Sequence, residues 1–426
     1  MIRKFLCVFA LANISLASAQ DGTTSPYSFY GIGEQRFKGI NEIKDMGGMA
    51  VYTDSLRINT LNPASYGQMQ KATLSIGGSF RSLNSKTENS NSKSQTGSFD
   101  YFTLSIPVGK LGVAFGVMPY TFTGYKVENT TQSNGMTVNN QHTGEGGINR
   151  TFLGLGYKVS KRLSVGVDAA YLFGDSNLNT QKFVINNGED IPLDRGSQIV
   201  TKNNYSGFDF NLGVNYKQPL TGKNFLHVNA TFSPETTLTT DLDSSVSIIQ
   251  STSDGIINLE NISLQKASKD LISPMAYTFG AGIGNPNKWF LGAEFASRNT
   301  EEYNKYFTYD NATYEDATKF SLGGFYTPKH NSFTSYAERM TYRAGINYEK
   351  TGLVLNSQKI TDQSVHAGVG LPIGLNRTGV YTGNLNIGLE YGKRGTTKSN
   401  LIQENYFSLS IGISFNDRWF EKRKFD

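Results

Sequence analysis

The chain has 426 residues, of which 38% are hydrophobic, and it carries a formal net charge of +5 at pH 7. This small net charge does not indicate nucleic-acid binding, which is marked by strongly basic patches. Mean hydropathy is −0.37, and after the first twenty residues no segment approaches the ~18 apolar residues of a transmembrane helix. The composition therefore excludes a helical membrane protein. It suits a transmembrane β-barrel, in which only every second residue of a strand faces lipid.

The N-terminal residues have the features of a secretory signal peptide, predicted over 1–19. Arg3 and Lys4 supply positive charge, an apolar stretch follows, and residues 17–19 form an A-x-A cleavage site. The one cysteine of the sequence, Cys7, lies within this segment. An exported chain would therefore contain no disulfide, zinc–thiolate site or cysteine nucleophile. We expect an exported protein of a Gram-negative cell.

Residues 20–70 lack strand periodicity and are rich in glycine and turn-forming residues. We predict that they form a hatch inside a barrel lumen. Asn62 can cap a turn through its side chain, and Pro63 fixes φ while keeping Asn62 extended. Pro63 also suits the first position of a short helical turn over 64–66. A segment with such fixed turns is suited to fill a lumen.

After the hatch, short segments alternate apolar residues with small or polar ones. In the clearest, 405–415, Leu409 and Ile411 alternate with Ser410 and Gly412. A period of two places the apolar set on a lipid face and the other set on a lumen face. We predict an all-β barrel of about 14 antiparallel strands over 71–416. The predicted strands are 71–82, 98–108, 110–126, 148–159, 162–174, 205–217, 224–239, 274–284, 288–298, 317–327, 339–349, 362–373, 379–392 and 404–415.

The connections between these strands alternate in length. Short ones at 109–110, 160–161 and 285–287 take turns with longer ones, predicted as loops at 83–97, 127–147, 175–204, 240–273 and 299–316. Bacterial barrels have short periplasmic turns and long extracellular loops. With fourteen strands, the hatch and the C-terminal tail 417–426 are both predicted on the periplasmic side.

Pro119 falls inside the third predicted strand. Proline cannot donate to a strand ladder, so it marks a bulge, a kink or a gap in the wall. Two interpretations remain open: the strand ends early, or the wall has a lateral opening toward the bilayer.

The hatch and the lumen-facing positions of the predicted strands carry charged residues that we expect to pair with each other. For any single residue, structural ion pairing that holds the hatch is favoured over a ligand site. On the hatch side, the charges are Arg36, Lys38, Lys44, Asp45, Asp54 and Arg57. On the wall side, they are Asp168, Asp209, Glu294, Arg343 and Glu390.

The segment 45–69 resembles the hatch signature of FadL-type outer-membrane transporters of long-chain fatty acids and aromatic hydrocarbons. Members carry a glycine-rich stretch, an aspartate and Asn-Pro-Ala followed by a bulky residue, just before the first barrel strand. The matching residues are Gly47, Gly48, Asp54, Asn62, Pro63, Ala64 and Tyr66. The tail is similar to those of Bacteroidota outer-membrane proteins, and that branch of the family includes the shuttle barrel of type IX secretion.

This resemblance implies a porin-like barrel, surrounded by membrane lipid, that passes a fatty-acid-like or aromatic molecule beyond its hatch. The alternative is a plugged barrel that conducts nothing and serves as a subunit or shuttle of an outer-membrane secretion or assembly complex. A continuous apolar tunnel would favour the carrier. A filled lumen with an exposed apolar patch on loops or tail would favour the subunit.

Catalytic signatures are missing from the sequence. The histidines at 142, 227, 330 and 366 have no metal-ligand spacing, and no G-x-S-x-G nucleophile motif occurs. We therefore expect a protein that is not an enzyme and that needs neither a metal nor another cofactor.

Overall fold

The computed structural model describes residues 22–133, 136–185, 195–252, 255–264, 266–286, 288–375 and 381–417. The predicted signal peptide and residues 418–426 of the predicted tail lie outside these ranges. Within them, no helix is both long enough and apolar enough to cross a membrane.

Nearly all of the regular structure is strand. The strands are β1 (Glu34–Gln35), β2 (Ala72–Lys86), β3 (Asn91–Val108), β4 (Leu111–Ser133), β5 (Met136–Lys158), β6 (Leu163–Ile185), β7 (Arg195–Pro219), β8 (Phe225–Ser233), β9 (Thr236–Thr252), β10 (Gly255–Ser263), β11 (Ala267–Ser273), β12 (Ala276–Asn285), β13 (Trp289–Arg298), β14 (Ala312–Tyr314), β15 (Ala317–Tyr326), β16 (Thr341–Leu355), β17 (Gln358–Leu375), β18 (Tyr381–Gly395) and β19 (Gln403–Asp417). A helix α1 spans Asn41–Lys44, and short 3-10 helices span Pro26–Phe29, Pro63–Gln68, Thr300–Lys305, Ala337–Arg339 and Lys398–Asn400.

The strands close into a 14-stranded antiparallel barrel, as predicted. Three wall strands are interrupted: β8 continues as β9, β10 and β11 continue as β12, and β14 continues as β15. The barrel closes where β19 pairs with β2, from Gln403 opposite Lys86 to Asp417 opposite Ala72. β1 is not one of the fourteen wall strands, and it pairs with β4.

The predicted long loops were mostly wrong, because the wall strands continue through them as β-hairpins. The segments 83–97, 127–147, 175–204 and 240–273 are largely strand wherever they are described. Beyond the bilayer both faces of a hairpin meet water, so its residues need not alternate apolar with polar. Backbone pairing alone then holds the strands, and apolar alternation marks only the part at membrane depth. The segment 299–316 is closer to a loop, with one 3-10 helix and β14.

The two faces of the wall have the predicted character. On β19, Phe407 and Ile411 are 47% and 48% exposed on the outer face, whereas Ser408 and Ser410 are 2% and 3% exposed on the inner face. Outward apolar residues recur on the neighbouring strands, such as Leu389 on β18. The result is an apolar outer belt around a wall whose inner face is small and polar.

We predict that Ile411→Arg destabilises the barrel in lipid by ~2–4 kcal/mol, because it places a charge at the centre of the apolar belt. Asn405→Arg, on the same face of β19 near its outer end, should cost ~0–1 kcal/mol. Urea titrations of both variants refolded in lipid vesicles measure the difference. Equal stabilities would show that the outer face of β19 does not contact lipid.

Candidate functional site: the N-terminal segment and the barrel wall

Residues 22–70, called here the N-terminal segment, contact inward-facing residues of strands on opposite sides of the barrel. Ile40, Met49 and Ile58 have no exposed surface. The segment reaches β4 through β7 at one place and β15 through β19 at another. It therefore occupies space that the wall encloses.

The Asn-Pro-Ala sequence forms the predicted turn. The Asn62 side chain accepts a hydrogen bond from the Ala64 backbone N–H at 3.0 Å, and Pro63 is the first residue of the 3-10 helix Pro63–Gln68. Asn62 Nδ2 also donates to the carbonyl of Val214 on β7 at 3.2 Å. Tyr66 is fully buried, and its hydroxyl donates to Asp168 on β6 at 3.3 Å. The same residues that shape the turn thus also attach it to the wall.

Four glycines form the wall surface beneath this turn. Gly112, Gly156, Gly166 and Gly213 are consecutive register partners across β4, β5, β6 and β7. A Cβ on Gly112 would lie 1.9 Å from the carbonyl oxygen of Tyr66, and one on Gly166 would lie 2.3 Å from the carbonyl carbon of Pro63. This row, the first glycine row, lets the backbone of the turn lie directly on the backbone of the sheet.

A second glycine row receives the segment on another side of the barrel. Gly292, Gly323 and Gly345 are consecutive register partners on β13, β15 and β16. A Cβ on Gly345 would lie 2.2 Å from the backbone nitrogen of Gly47. Gly47 itself has a φ of +78°, in the left-handed region that favours glycine. The predicted motif residue Gly47 is thus at a point of close backbone contact.

Beside the second row, Asp45 lies against two further glycines. Added Cβ atoms on Gly368 and Gly388, which are register partners on β17 and β18, would lie 2.1 and 2.0 Å from its carboxylate oxygens. Burial raises the pKa of Asp45 to about 7. Gly48, the other motif glycine, has a φ of +72° and lies near the Phe37 ring.

Three of the candidate charges on the segment lie opposite wall carboxylates. Lys44 Nζ is 2.9 Å from Glu390 on β18, and Lys38 Nζ is 3.9 Å from Asp209 on β7. Burial lowers the pKa of Lys38 to about 7 although Asp209 opposes the shift. These ion pairs attach the segment to two separate strands.

Arg36 makes the third such pair, 3.5 Å from Asp100 on β3. Asp54 and Arg57 are instead 2.5 Å from each other, within the segment. The Asp54 carboxylate also accepts from the Arg57 backbone N–H at 2.7 Å. This pair fixes a local turn of the segment.

The remaining wall candidates bind neighbouring wall residues. Asp168 is 3.9 Å from Arg150 on β5. Glu294 accepts from Asn229 Nδ2 at 3.4 Å, and Arg343 Nη1 donates to Asn386 Oδ1 at 3.1 Å. The two inward histidines have structural surroundings: the His227 ring packs on Tyr52 and Phe290, and His366 Nε2 is 2.9 Å from Ser364 Oγ. Among the described residues, no cluster has the make-up of a metal site.

The densest ionic cluster includes residues that sequence reasoning missed. Glu34 of the segment lies 2.9 Å from Arg81 on β2 and 2.8 Å from Arg394 on β18. Arg394 is also 2.9 Å from Asp362, whose other oxygen accepts from the Tyr406 hydroxyl at 2.7 Å. Burial opposes ionisation of Glu34, but Arg394 and Arg81 hold the pKa of its carboxyl well below the usual range. Arg81 and Arg394 occupy positions that face inward in the alternation of their strands. That alternation is the sequence signal that could have identified them as inward-facing residues.

The wall has a discontinuity beside Pro119. β3 and β4 pair from Val108 opposite Leu111 only as far as Phe102 opposite Val117. The β4–β5 register shifts between Pro119 and Thr121, which fits a residue that has no N–H to donate. β4 then continues to Ser133, so the interpretation that this strand ends early is wrong.

The N-terminal segment crosses this discontinuity on its inner side. Glu34 and Gln35 of β1 pair with Phe122 and Thr121 on the free edge of β4. On the β3 side, Thr24 Oγ1 lies 2.6 Å from Ser94 Oγ. Residues 22–36 therefore bridge the two strands that are not paired with each other there.

Between the segment and the wall remains a cavity of about 320 Å³. Many of the side chains that line it are charged and come from both partners, among them Arg36, Lys38, Asp209, Glu294, Arg298 and Glu390.

The outer end of this interface, far from the Asn-Pro-Ala turn, is covered by aromatic rings. Phe29 packs edge-on against Tyr30 and Tyr125 at 5.1 and 5.2 Å between ring centroids. Tyr309, from the connection between β13 and β14, packs on Tyr30 at 5.3 Å. These ring contacts join the N-terminal segment to β4 and to the connection between β13 and β14.

We predict that Gly166→Ala destabilises the seating of the N-terminal segment by ~1–3 kcal/mol, because its new methyl group would overlap the backbone at Pro63. Gly97→Ala is the matched control, since Gly97 also lies in a strand but has open space at its Cβ position. Limited proteolysis of the folded barrels measures cleavage within 22–70. Equal cleavage rates in the two variants would contradict a packed contact between turn and glycine row.

Solved structures with a similar fold are outer-membrane channels. The toluene transporter TodX of P. putida has a TM-score of 0.60 at 13% identity, covering 91% of this chain and 100% of the other. The toluene transporter TbuX of Ralstonia pickettii scores 0.57 at 15% identity, covering 90% and 99%. A FadL homologue of Pseudomonas aeruginosa scores 0.56 at 11% identity, covering 91% and 99%. At these identities the likeness establishes the fold.

A search of curated proteins finds no sequence that matches this chain. A family model does match, and it covers residues 1–426, the full length of the sequence. The chain is therefore a member of the BamG family.

Proposed function

We propose that this chain is a closed outer-membrane barrel that acts as a subunit of a secretion or assembly complex, with residues 20–70 as a hatch that keeps it closed. The proposal includes an exported chain cleaved after residue 19 and surrounded by membrane lipid. It favours the second of the two functions that the sequence left open.

The observation that carries the proposal is the set of charged side chains in the cavity between the segment and the wall. Pockets for small hydrophobic molecules are mostly apolar, whereas this cavity is lined by ion-paired groups such as Lys38 and Asp209. An apolar molecule that entered would strip water from these charges without replacing their hydrogen bonds, which is costly. The cavity suits water better than hydrocarbon.

The attachment of the segment supports the same proposal. It is anchored by the first glycine row, by the second row and by the Glu34 cluster, which lie on different parts of the wall. Opening a passage would require several buried contacts to break together, and each charge left buried without its partner is costly. The family name, BamG, is a further hint at outer-membrane machinery.

One observation favours the carrier function as a second candidate. The discontinuity between β3 and β4 lies at membrane depth, where outward Phe115 is exposed beside it. A hydrophobic molecule could leave sideways there if residues 22–36 moved. In this candidate function, the chain passes a fatty-acid-like or aromatic compound, and Pro119 marks a lateral exit.

A disulfide lock separates the two functions. The variant Thr24→Cys/Ser94→Cys joins the segment to β3, at side chains whose oxygens are 2.6 Å apart, in a chain whose only cysteine is Cys7. We expect oxidised and reduced cells to take up a hydrophobic fluorescent probe at the same rate as cells lacking the protein. Thr24→Cys alone is the control. Uptake that falls on oxidation and recovers on reduction would establish the carrier function instead.

The subunit function predicts a defined assembly. With an affinity tag after Asp426, the chain extracted in mild detergent should run as a complex of fixed stoichiometry with other outer-membrane proteins. Depleting the chain should lower the amount of folded barrels or of secreted proteins while leaving probe uptake unchanged. A chain that elutes alone, and whose depletion changes neither, would contradict the subunit function.

A further inference from the structure

We propose that residues 256–263 of β10 (Gly255–Ser263) form a docking strand that takes up an extended, aliphatic-rich segment of a separate partner protein through its free edge. The inference rests on the proposed subunit function and identifies the surface by which the chain meets one of its partners.

The first observation is the open edge. β10 pairs antiparallel with β9, from Gly255 opposite Thr252 to Ser263 opposite Ser245. Among the strands that the structure describes, β9 is the one that pairs with it. From Ile256 to Ser263, the other edge therefore presents backbone N–H and C=O groups that a further strand can bind. A register shift between Asn258 and Glu260 leaves Leu259 without a partner on β9.

The second observation is the composition of this edge. Every residue of β10 is exposed, yet Ile256, Ile257, Leu259 and Ile262 are large aliphatic residues with 46–52% of their surface exposed. Natural edge strands are usually protected against pairing with another chain by lysine or proline residues, or because they are short. Here Glu260 is the one charged residue of the strand. An exposed edge of this composition marks an interaction site.

The bilayer does not cover this surface. Outward Phe232 on β8 is the last aromatic residue of the apolar belt on that wall strand, and Ser245, opposite the end of β10, lies roughly 40 Å further along the strand at ~3.3 Å per residue. Between them the chain is polar, from Glu235 through Asp243. The apolar side chains of β10 thus project from the barrel well beyond the lipid belt.

The geometry indicates what the occupant is. Only an extended backbone satisfies a strand edge. Ile256 and Ile257 are neighbours in the strand and so point to opposite faces, which requires aliphatic side chains on both faces of the added strand. Such a segment completes the hydrogen bonding and covers the aliphatic residues at once.

A second copy of this chain fits less well. Identical chains inserted in one membrane are related by rotation about the membrane normal, so their β10 strands would run parallel to each other. Parallel pairs are slightly less stable per residue than antiparallel ones. A separate chain is free to enter antiparallel, and for that reason we choose it as the occupant.

The test uses the full-length protein in its native membrane, with the photo-cross-linking residue benzoylphenylalanine placed at Asn258 or at Ser263. We expect both positions to yield an adduct with the same polypeptide, distinct from this chain. The cross-linked site in the partner should move in the direction opposite to the probe, as antiparallel pairing requires. Ile262→Asp should lower the adduct yield roughly tenfold, a change of about 1.4 kcal/mol, whereas Asn261→Asp, which adds the same charge one residue away, should not.

Three results would overturn the docking strand: adducts only with lipid or with a second copy of the chain, no adduct at either position, or equal yields from Ile262→Asp and Asn261→Asp. The tagged complex distinguishes this failure from failure of the subunit function. If the complex persists unchanged in Ile262→Asp, the docking strand is wrong and the subunit function stands. If the unsubstituted chain elutes alone, both are wrong.

Discussion

The structure depends on one steric constraint: a barrel of fourteen strands encloses more space than its own inward side chains fill, and the N-terminal segment occupies part of that space. Side chains at every inward position would keep the N-terminal segment away from the wall. The two glycine rows remove them where contact is needed, and the backbone at Pro63 and at Gly47 lies directly on the sheet. The position of the N-terminal segment is thus set by the absence of Cβ atoms in the wall.

Close backbone contact in turn determines the electrostatics. With the segment fixed at two glycine rows, the carboxylate of Glu34 lies between Arg81 and Arg394, and Lys44 lies beside Glu390. Buried ion pairs contribute little net stability, because desolvation offsets their attraction, but an unpaired buried charge is costly. The pairs therefore penalise any other arrangement of the segment. They favour the observed position of the segment over others.

The sequence predicted the parts of this structure that follow from local rules. Alternation at 405–415 identified the lipid face, and Asn62-Pro63 identified the buried turn. It missed the extensions of β4 to β7, because strands surrounded by water need no apolar face. The cluster at Glu34 was also missed. Its wall members Arg81 and Arg394 have inward parity, a local signal, but their common partner is set by which strands close the barrel. The incomplete β3–β4 pairing beside Pro119 depends likewise on long-range register.

The distribution of polarity sets the edge of β10 apart from the rest of the wall. The N-terminal segment contacts the inner face of the wall at several strands, and the apolar outer belt is suited to lipid. The edge of β10 is different, since Ile257 and Ile262 face water on a strand whose outer edge is open. Burying such side chains is favourable at ~25 cal/mol per Å². In this chain alone they stay exposed, so that free energy is not gained. A surface of this kind has a physical rationale when a second protein covers it, as proposed for the docking strand.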